Sequence, residues 1–206
     1  GNGWDGTLFN NPGWVAGHSS NAASLTPNQY ISLPTGVVGG LTNCTIALWA
    51  NLNSAGMWSR LFDFGSGTTT YMFLTPSSGN GNLRFAITTN SNGGEQRLDA
   101  PGPLPTNGWH HVAVTLGGGA GALYVDGQPV ATNGAMTIAP AHLGVLTQNW
   151  IGRSQFGADP YLNGVVDDFR IYVGVLSAGE IVSLTTSLAP PAGLTAVGQH
   201  GSVALN

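Results

Sequence analysis

Cys44-Thr45-Ile46-Ala47-Leu48-Trp49-Ala50-Asn51-Leu52 places Ile46, Leu48, Ala50 and Leu52 at every second position. A period of two marks a strand with one buried face. Asn82–Thr89 repeats the pattern, with Leu83, Phe85 and Ile87 on one side and Arg84, Ala86 and Thr88 on the other. Trp109–Leu116 repeats it through Val112, Val114 and Leu116. Further strand-like runs lie at Gln29–Leu33, Arg60–Phe64, Tyr71–Thr75, Leu123–Val125, Trp150–Arg153 and Val165–Tyr172. Glycine- and proline-rich breakers separate them. Asp126-Gly127, between Leu123-Tyr124-Val125 and Pro129-Val130, reads as a two-residue hairpin turn because both positions tolerate positive φ. Gly117–Gly121 reads as a second hairpin turn; it lacks the Lys-Ser/Thr and the helix of a phosphate loop. Many short strands with turn-rich joints predict an all-β, two-sheet antiparallel sandwich. One short C-terminal helix is expected where Ser177-Ala178-Gly179-Glu180 forms a capping box. Ile181, Val182 and Leu184 are its apolar face, packed on the sandwich edge.

Composition narrows the function classes. Of 206 residues only 7% are charged, 32 are glycine, and the net charge is −4. There is no lysine, and the cations are Arg60, Arg84, Arg97, Arg153 and Arg170. Scattered arginines do not make the basic surface that a phosphate backbone needs, so nucleic acid is not an expected partner. The 42% hydrophobic content suffices for a core. No apolar run reaches the length of a membrane span. Cys44 is the single cysteine, so neither an internal disulfide nor a cysteine-ligated zinc is expected. The glycine, threonine, asparagine and serine content fits a secreted bacterial domain.

The opening at Gly1-Asn2-Gly3-Trp4 reads as a piece of something longer. Residues 1–187 are expected to form the sandwich, and 188–206 a linker and a further start. Ala189-Pro190-Pro191-Ala192-Gly193 is the linker. Leu194–Asn206 resembles the first two strands of a fibronectin type III module, cut short.

Several segments, read in order, carry a wider resemblance: Gly40-Leu41-Thr42 before the opening strand, Gly108-Trp109-His110-His111-Val112-Ala113, Leu123-Tyr124-Val125-Asp126-Gly127, Ile151-Gly152-Arg153, Gly164–Tyr172 and Leu176–Ile181. Together they resemble the bacterial laminin-G-like jelly rolls of the concanavalin A-like superfamily, over about residues 1 to 185. The resemblance implies a jelly roll appended to a secreted polysaccharide-degrading enzyme, with neighbouring domains in the parent chain and a carbohydrate-binding role. Arg60–Asp99 looks most like versions attached to arabinan- or xylan-degrading enzymes of glycoside hydrolase family 43. Two departures stand out. The extra first strand of the family, which pairs beside the strand carrying Asp167–Tyr172, is missing. The open edge this leaves is expected to be covered by the tail after Pro191 or by strand exchange with another chain. Leu25-Thr26-Pro27 also stands where the family often has Phe-Asp-Gly, so a possible acidic metal ligand is absent.

Catalysis is not expected. The related glucanases place closely spaced acidic residues on one strand, and glycoside cleavage needs a carboxyl pair. This chain has two glutamates, Glu95 and Glu180, and Glu180 already serves the cap. His110 and His111 alternate across a strand and cannot chelate one ion together. Asp167, on the face of Phe169 and Ile171 by simple alternation, is expected to point inward. The resemblance implies a structural calcium near Asp167 and Asp168; the alternative is that Asp167 accepts backbone N–H groups or pairs with an arginine. For sugar binding, aromatic faces and planar polar groups are needed. Trp58, following the loop Asn53–Met57, is the best exposed candidate. Tyr71 and Arg84 are expected on an outward sheet face, and Arg97 beside the Gly93-Gly94 turn. Trp49 and Trp109 are read as packing, and Asn43-Cys44-Thr45 as a sequon entering a strand. The alternative to a glycan binder is a structural or adhesion module with protein partners.

Overall fold

The computed structural model describes residues 5–186. The linker and the fibronectin-like segment expected after 187 lie outside them. Fourteen strands follow the chain: β1 Thr7–Phe9, β2 Gly13–Ala16, β3 Asn21–Leu25, β4 Tyr30–Leu33, β5 Cys44–Ser54, β6 Phe62–Gly65, β7 Tyr71–Thr75, β8 Arg84–Thr88, β9 Gln96–Asp99, β10 Trp109–Gly117, β11 Ala120–Val125, β12 Gln128–Asn133, β13 Gln148–Ile151 and β14 Asn163–Val173. Among the described residues one α-helix, α1, spans Ala178–Thr186. The strands form two seven-stranded antiparallel sheets. The first runs β1-β4-β13-β6-β7-β8-β9 and the second β12-β11-β10-β5-β14-β3-β2. This is the two-sheet antiparallel sandwich that the alternation predicted, and it is consistent with the jelly roll that the resemblance implied. No helix among the described residues is long and apolar enough to cross a membrane.

The core lies where the period of two puts it. Ile46, Leu48, Ala50 and Leu52 of β5 and Val112, Val114 and Leu116 of β10 face Phe62, Phe64, Met72, Leu74, Phe85 and Ile87 of the first sheet. Phe169 of β14 packs edge-on against Phe62 and Phe64. Each buried aromatic or branched side chain contributes about 2–3 kcal/mol of hydrophobic stabilisation. Asp126 (φ 50) and Gly127 (φ 79) make the β11–β12 turn, and Gly118 and Gly119 (φ 61 and 77) the β10–β11 turn. Both central residues of each turn are left-handed, the geometry that matches strand twist in a two-residue hairpin.

Three expectations need correction. Asp167 does not share the face of Phe169 and Ile171. The β14–β5 register shifts between Asp167 and Arg170, and Asp168 sits at φ 49. The extra residue resets the alternation, so Asp167 joins Trp49 on the outer face while Phe169 stays in the core. Helix α1 meets the edge strand β12, as expected, but lies over the sheet face rather than beside it. Ile181 and Leu184 lie with Leu176 on the outer face of the second sheet, against Ala47, Ala113, Tyr124 and Tyr172. Val182 is exposed rather than part of that face. The predicted cap is present: the Glu180 N–H donates to Ser177 Oγ, and the Ser177 N–H donates to Glu180 Oε2.

On one side β14 pairs along its length with β5; on the other, β3 pairs with it only at Gly164–Val166. Among the described residues no strand pairs the Arg170–Val173 half on that second side. The tail proposed to cover it lies outside the described residues.

Candidate functional site

The outer face of the first sheet carries an unusual load of polar and aromatic groups. Opposite the core residues of β6, β7, β8 and β9 stand Asp63, Tyr71, Phe73, Arg84, Ala86, Arg97 and Asp99. Two loops rise over them. The β5–β6 loop brings Trp58 and Arg60, and the long β13–β14 loop brings Ser154, Gln155, Phe156 and Asp159. Between them lies a cavity of about 380 Å³, lined by Trp58, Arg60, Phe73, Arg84, Glu95 and Arg97 together with Asn92, Phe156 and Asp159.

Its floor is built on Arg60, which is 1% exposed. The guanidinium lies over the Phe73 ring at 4.1 Å. Its Nε donates to Asp63 Oδ2 at 3.1 Å and its Nη2 to Asp159 Oδ2 at 2.9 Å. Nη1 donates to the Trp58 carbonyl. A buried cation is tolerated only when paired in this way. Asp63 also accepts the Gln155 N–H at 3.0 Å, which ties the β13–β14 loop to the sheet. Burial pushes the Asp63 carboxyl up to about 7, against the pull of Arg60. Ser154 Oγ donates to the same Asp159 oxygen at 2.7 Å.

Trp58 is held in a left-handed backbone conformation, φ 64. For a bulky side chain this is a strained choice, of order 1–3 kcal/mol, kept where the surroundings over-determine it. The Trp58 N–H donates to the Ser77 carbonyl at 2.7 Å. The ring meets Phe73 edge-on at 6.4 Å. The Arg60 and Arg84 guanidinium carbons each lie 5.7 Å from its centre, and a Cβ on neighbouring Gly79 would stand 3.1 Å from the indole Cζ2. The ring is half-buried, so it presents apolar surface to the cavity.

The four residues expected to bind sugar separate into two kinds. Trp58, Arg84 and Arg97 are brought together in the cavity wall. Arg84 is nearly buried and forked onto Asp99, with Nε–Oδ1 2.6 Å and Nη2–Oδ2 3.2 Å. Arg97 is exposed at the rim. Tyr71 is on the outward face, as expected, but fully buried. Phe156 covers it edge-on at 5.6 Å, and its hydroxyl donates to Glu95 Oε1 at 2.7 Å. Burial and the Glu95 carboxylate push the Tyr71 phenol up. Tyr71 therefore positions Glu95 and does not line the cavity. Sequence reasoning missed Arg60, Phe73, Glu95, Phe156 and Asp159. One signal was available for the floor: in a chain with 7% charged residues, Arg60 and Asp63 flank Leu61-Phe62, and charges beside a core run require partners.

Asp167 and Asp168 do not fit a cation as arranged. Asp167 Oδ2 accepts the N–H groups of His18 at 2.8 Å and Ser19 at 3.1 Å, and Oδ1 accepts that of Asp168 at 2.8 Å. Asp168 pairs with Arg170 Nε at 2.6 Å. A cation here would meet N–H donors and a guanidinium. No group of three or more potential ligand residues occurs among the described residues. His110 and His111 do face opposite environments: His110 Nδ1 lies 2.7 Å from Asp126 Oδ2, while His111 is buried against Trp49.

Comparison with known proteins agrees with this architecture. No curated protein matches the chain. Among solved structures, domain 4 of AbnA, an extracellular GH43 arabinanase from Geobacillus stearothermophilus solved with arabinotriose, superposes with a TM-score of 0.72 at 22% identity, covering 87% of each chain. The CBM40 of the Ruminococcus gnavus IT-sialidase, bound to α2,3 sialyllactose, gives 0.65 at 15% identity, covering 80% of this chain and 96% of that one. A heptameric SAP-like pentraxin from Limulus polyphemus gives 0.55 at 15% identity, covering 84% and 82%. Residues 25–182, more than half of the sequence, match the Laminin_G_3 family, and the chain therefore belongs to that family of the concanavalin A-like lectin/glucanases superfamily.

Proposed function

We propose that this chain is a non-catalytic carbohydrate-binding module and that the cavity over β6–β9 is its binding site. The observation that carries the reading is Trp58, an aromatic ring held at positive φ on the wall of a polar cavity. The ring face offers contact to sugar C–H groups, and Arg84, Arg97, Glu95 and Asn92 offer hydrogen bonds to hydroxyls. The charges around the cavity argue for a neutral ligand. Arg60, Arg84 and Arg97 are offset by Asp159, Glu95 and Asp99, so there is no positive excess to draw an anion into it.

The reading is of binding without cleavage. Hydrolysis needs one carboxyl to give a proton and a second to act as base or nucleophile. Two carboxylates do line the cavity, but Asp159 is bound by Arg60 and Ser154, and Glu95 by the Tyr71 hydroxyl. The similarity to an arabinanase domain solved with arabinotriose supports a pentose polymer, arabinan or xylan, as the ligand class. In this reading the module is secreted by a bacterium as part of a polysaccharide-degrading enzyme and holds that enzyme at its substrate.

The test is a glycan array carrying arabinans, xylans and glucans, read alongside reducing-end release. Binding to a neutral polysaccharide without release of ends is expected. Absence of binding across all three classes would favour a spacer or adhesion module, and release of reducing ends would overturn the non-catalytic assignment.

A further inference from the structure

The five arginines fall into two groups. Arg60, Arg84 and Arg170 are each paired with an aspartate. Among the described residues no carboxylate is within ion-pair reach of Arg97 or Arg153. Both stand on the outer face of the first sheet. Arg97 is at the cavity rim. Arg153 follows β13 and lies with its guanidinium carbon 4.1 Å from the Trp150 ring centre and 4.8 Å from that of Tyr30. Tyr30 is braced in turn by Phe9, stacked at 4.7 Å, and by Tyr161 at 6.2 Å. The two rings are inclined at 72° to each other, so together they restrain the guanidinium on two sides, while no carboxylate among the described residues takes its N–H edge. That edge matches a planar two-oxygen acceptor, as the chain itself shows where Arg84 forks onto Asp99.

We propose that Arg153, with Trp150, Tyr30 and Tyr161, forms a second subsite that takes the carboxylate of an acidic sugar unit, a uronate, on the polysaccharide held by the cavity. That the carboxylate belongs to a sugar rests on the reading of the cavity. One loop links the two places: the β13–β14 loop supplies Arg153 and Tyr161 near its two ends and Phe156 and Asp159 between them. β13 and β9 are four strand spacings apart, about 19 Å, a span for several sugar units lying across the strands. A mostly neutral backbone would fill the cavity, where Arg97 sits among balanced charges, while an acidic branch reaches Arg153, the unpaired arginine outside it.

The experiment uses ¹⁵N-labelled protein and follows the arginine Nε–H resonances during titration with methyl glucuronide, methyl glucoside and acetate at matched ionic strength. The two glycosides differ only in the carboxylate. The expected result is a saturable shift of the Arg153 resonance with the glucuronide, none with the glucoside, and at least fivefold weaker response to acetate. Arg153→Gln abolishes the glucuronide response elsewhere in the spectrum, Arg153→Lys weakens it, and Trp58→Ala preserves it. An Arg153 resonance unmoved by the glucuronide overturns the proposal, as does an equal response to the glucoside. An equal response to acetate means that the site reads any carboxylate, including an acidic protein segment. Loss of the response in Trp58→Ala would mean that the shift is transmitted from the cavity. Because the Arg153 response is read separately from polysaccharide binding, failure here and failure of the cavity reading can be told apart.

Discussion

Replacing Arg60 by methionine removes the cation under the cavity while keeping most of its volume. Asp63, which is 0% exposed, loses its Nε donor and keeps only the Gln155 N–H on Oδ2; its Oδ1 has no partner even in the native protein. Asp159 is less affected, since it retains Ser154 and is partly solvated. Above about pH 7, where Asp63 is ionised, breaking the buried pair on one side costs about 3–5 kcal/mol. For a domain of this size that is a fall in Tm of roughly 6–20 °C. Adding Asp63→Asn removes the orphaned charge and is expected to recover all but about 1–2 kcal/mol, the value of the remaining lost hydrogen bonds. The pH dependence has a definite sign. Asp63 has a folded pKa raised to about 7 by burial, so the folded state holds a proton that the unfolded chain releases, and stability falls as pH rises through that range. Without Arg60 the folded pKa rises further, and the deficit of the variant widens above about pH 7. Urea denaturation of the wild type, the single variants and the double variant at pH 5, 7 and 9 reads all of this. At pH 9, a single-variant cost below about 1 kcal/mol, or a double variant no more stable than Arg60→Met, would refute the assignment of Arg60 as the partner of a buried charge.

Three other outcomes follow from the same geometry. Burial pushes the His111 imidazole down to about 4, against the attraction of Asp126 and with added repulsion from His18 and Arg170. Its folded pKa lies below the unfolded one, so its contribution is complete above about pH 6.5 and is lost as pH falls toward 4, up to about 3 kcal/mol. Asp63 runs the opposite way over part of this window, so the slope is read as the difference between wild type and His111→Phe. Trp58→Gly relieves the positive-φ strain while deleting the ring. Denaturation should place it within about 1 kcal/mol of wild type, and affinity electrophoresis in polysaccharide gels should show binding lost; retained binding would remove Trp58 from the site. A chelator should leave Tm unchanged, because the Asp167 oxygens are already taken by backbone N–H groups. Asp167→Ala should lower stability by about 3 kcal/mol.

The sequence discloses the fold where side-chain type alternates. Strands β5, β8 and β10 are buried on both faces, but only the inner positions carry the large aliphatic and aromatic core residues, while the outer ones are mostly small or polar. Strands β1 and β2 escaped notice because they are exposed on both faces, with Leu8, Phe9, Trp14 and Val15 all open to solvent. Asp167 was misplaced because one left-handed residue, Asp168, breaks the parity count, and nothing in its identity announces a bulge. The outward position of Arg84 and Tyr71 was legible from period two. The cover over Tyr71 was not, because Phe156 arrives from a loop 85 residues later in the chain. The cavity is assembled from strand side chains and two separate loops, and its arginine–aspartate floor joins Arg60 to Asp159, 99 residues apart.

The central claim is that a neutral glycan binds on the outer face of the first sheet, against Trp58. Its most direct test is to titrate labelled protein with an arabinan or xylan oligosaccharide that it binds and to follow the indole N–H resonances. The account predicts that the Trp58 resonance moves together with the Arg84 and Arg97 Nε–H resonances, while Trp49 and Trp109 on the second sheet stay still. Shifts confined to Trp49, Trp109 and the neighbouring His18 would place the ligand on the opposite sheet and contradict it.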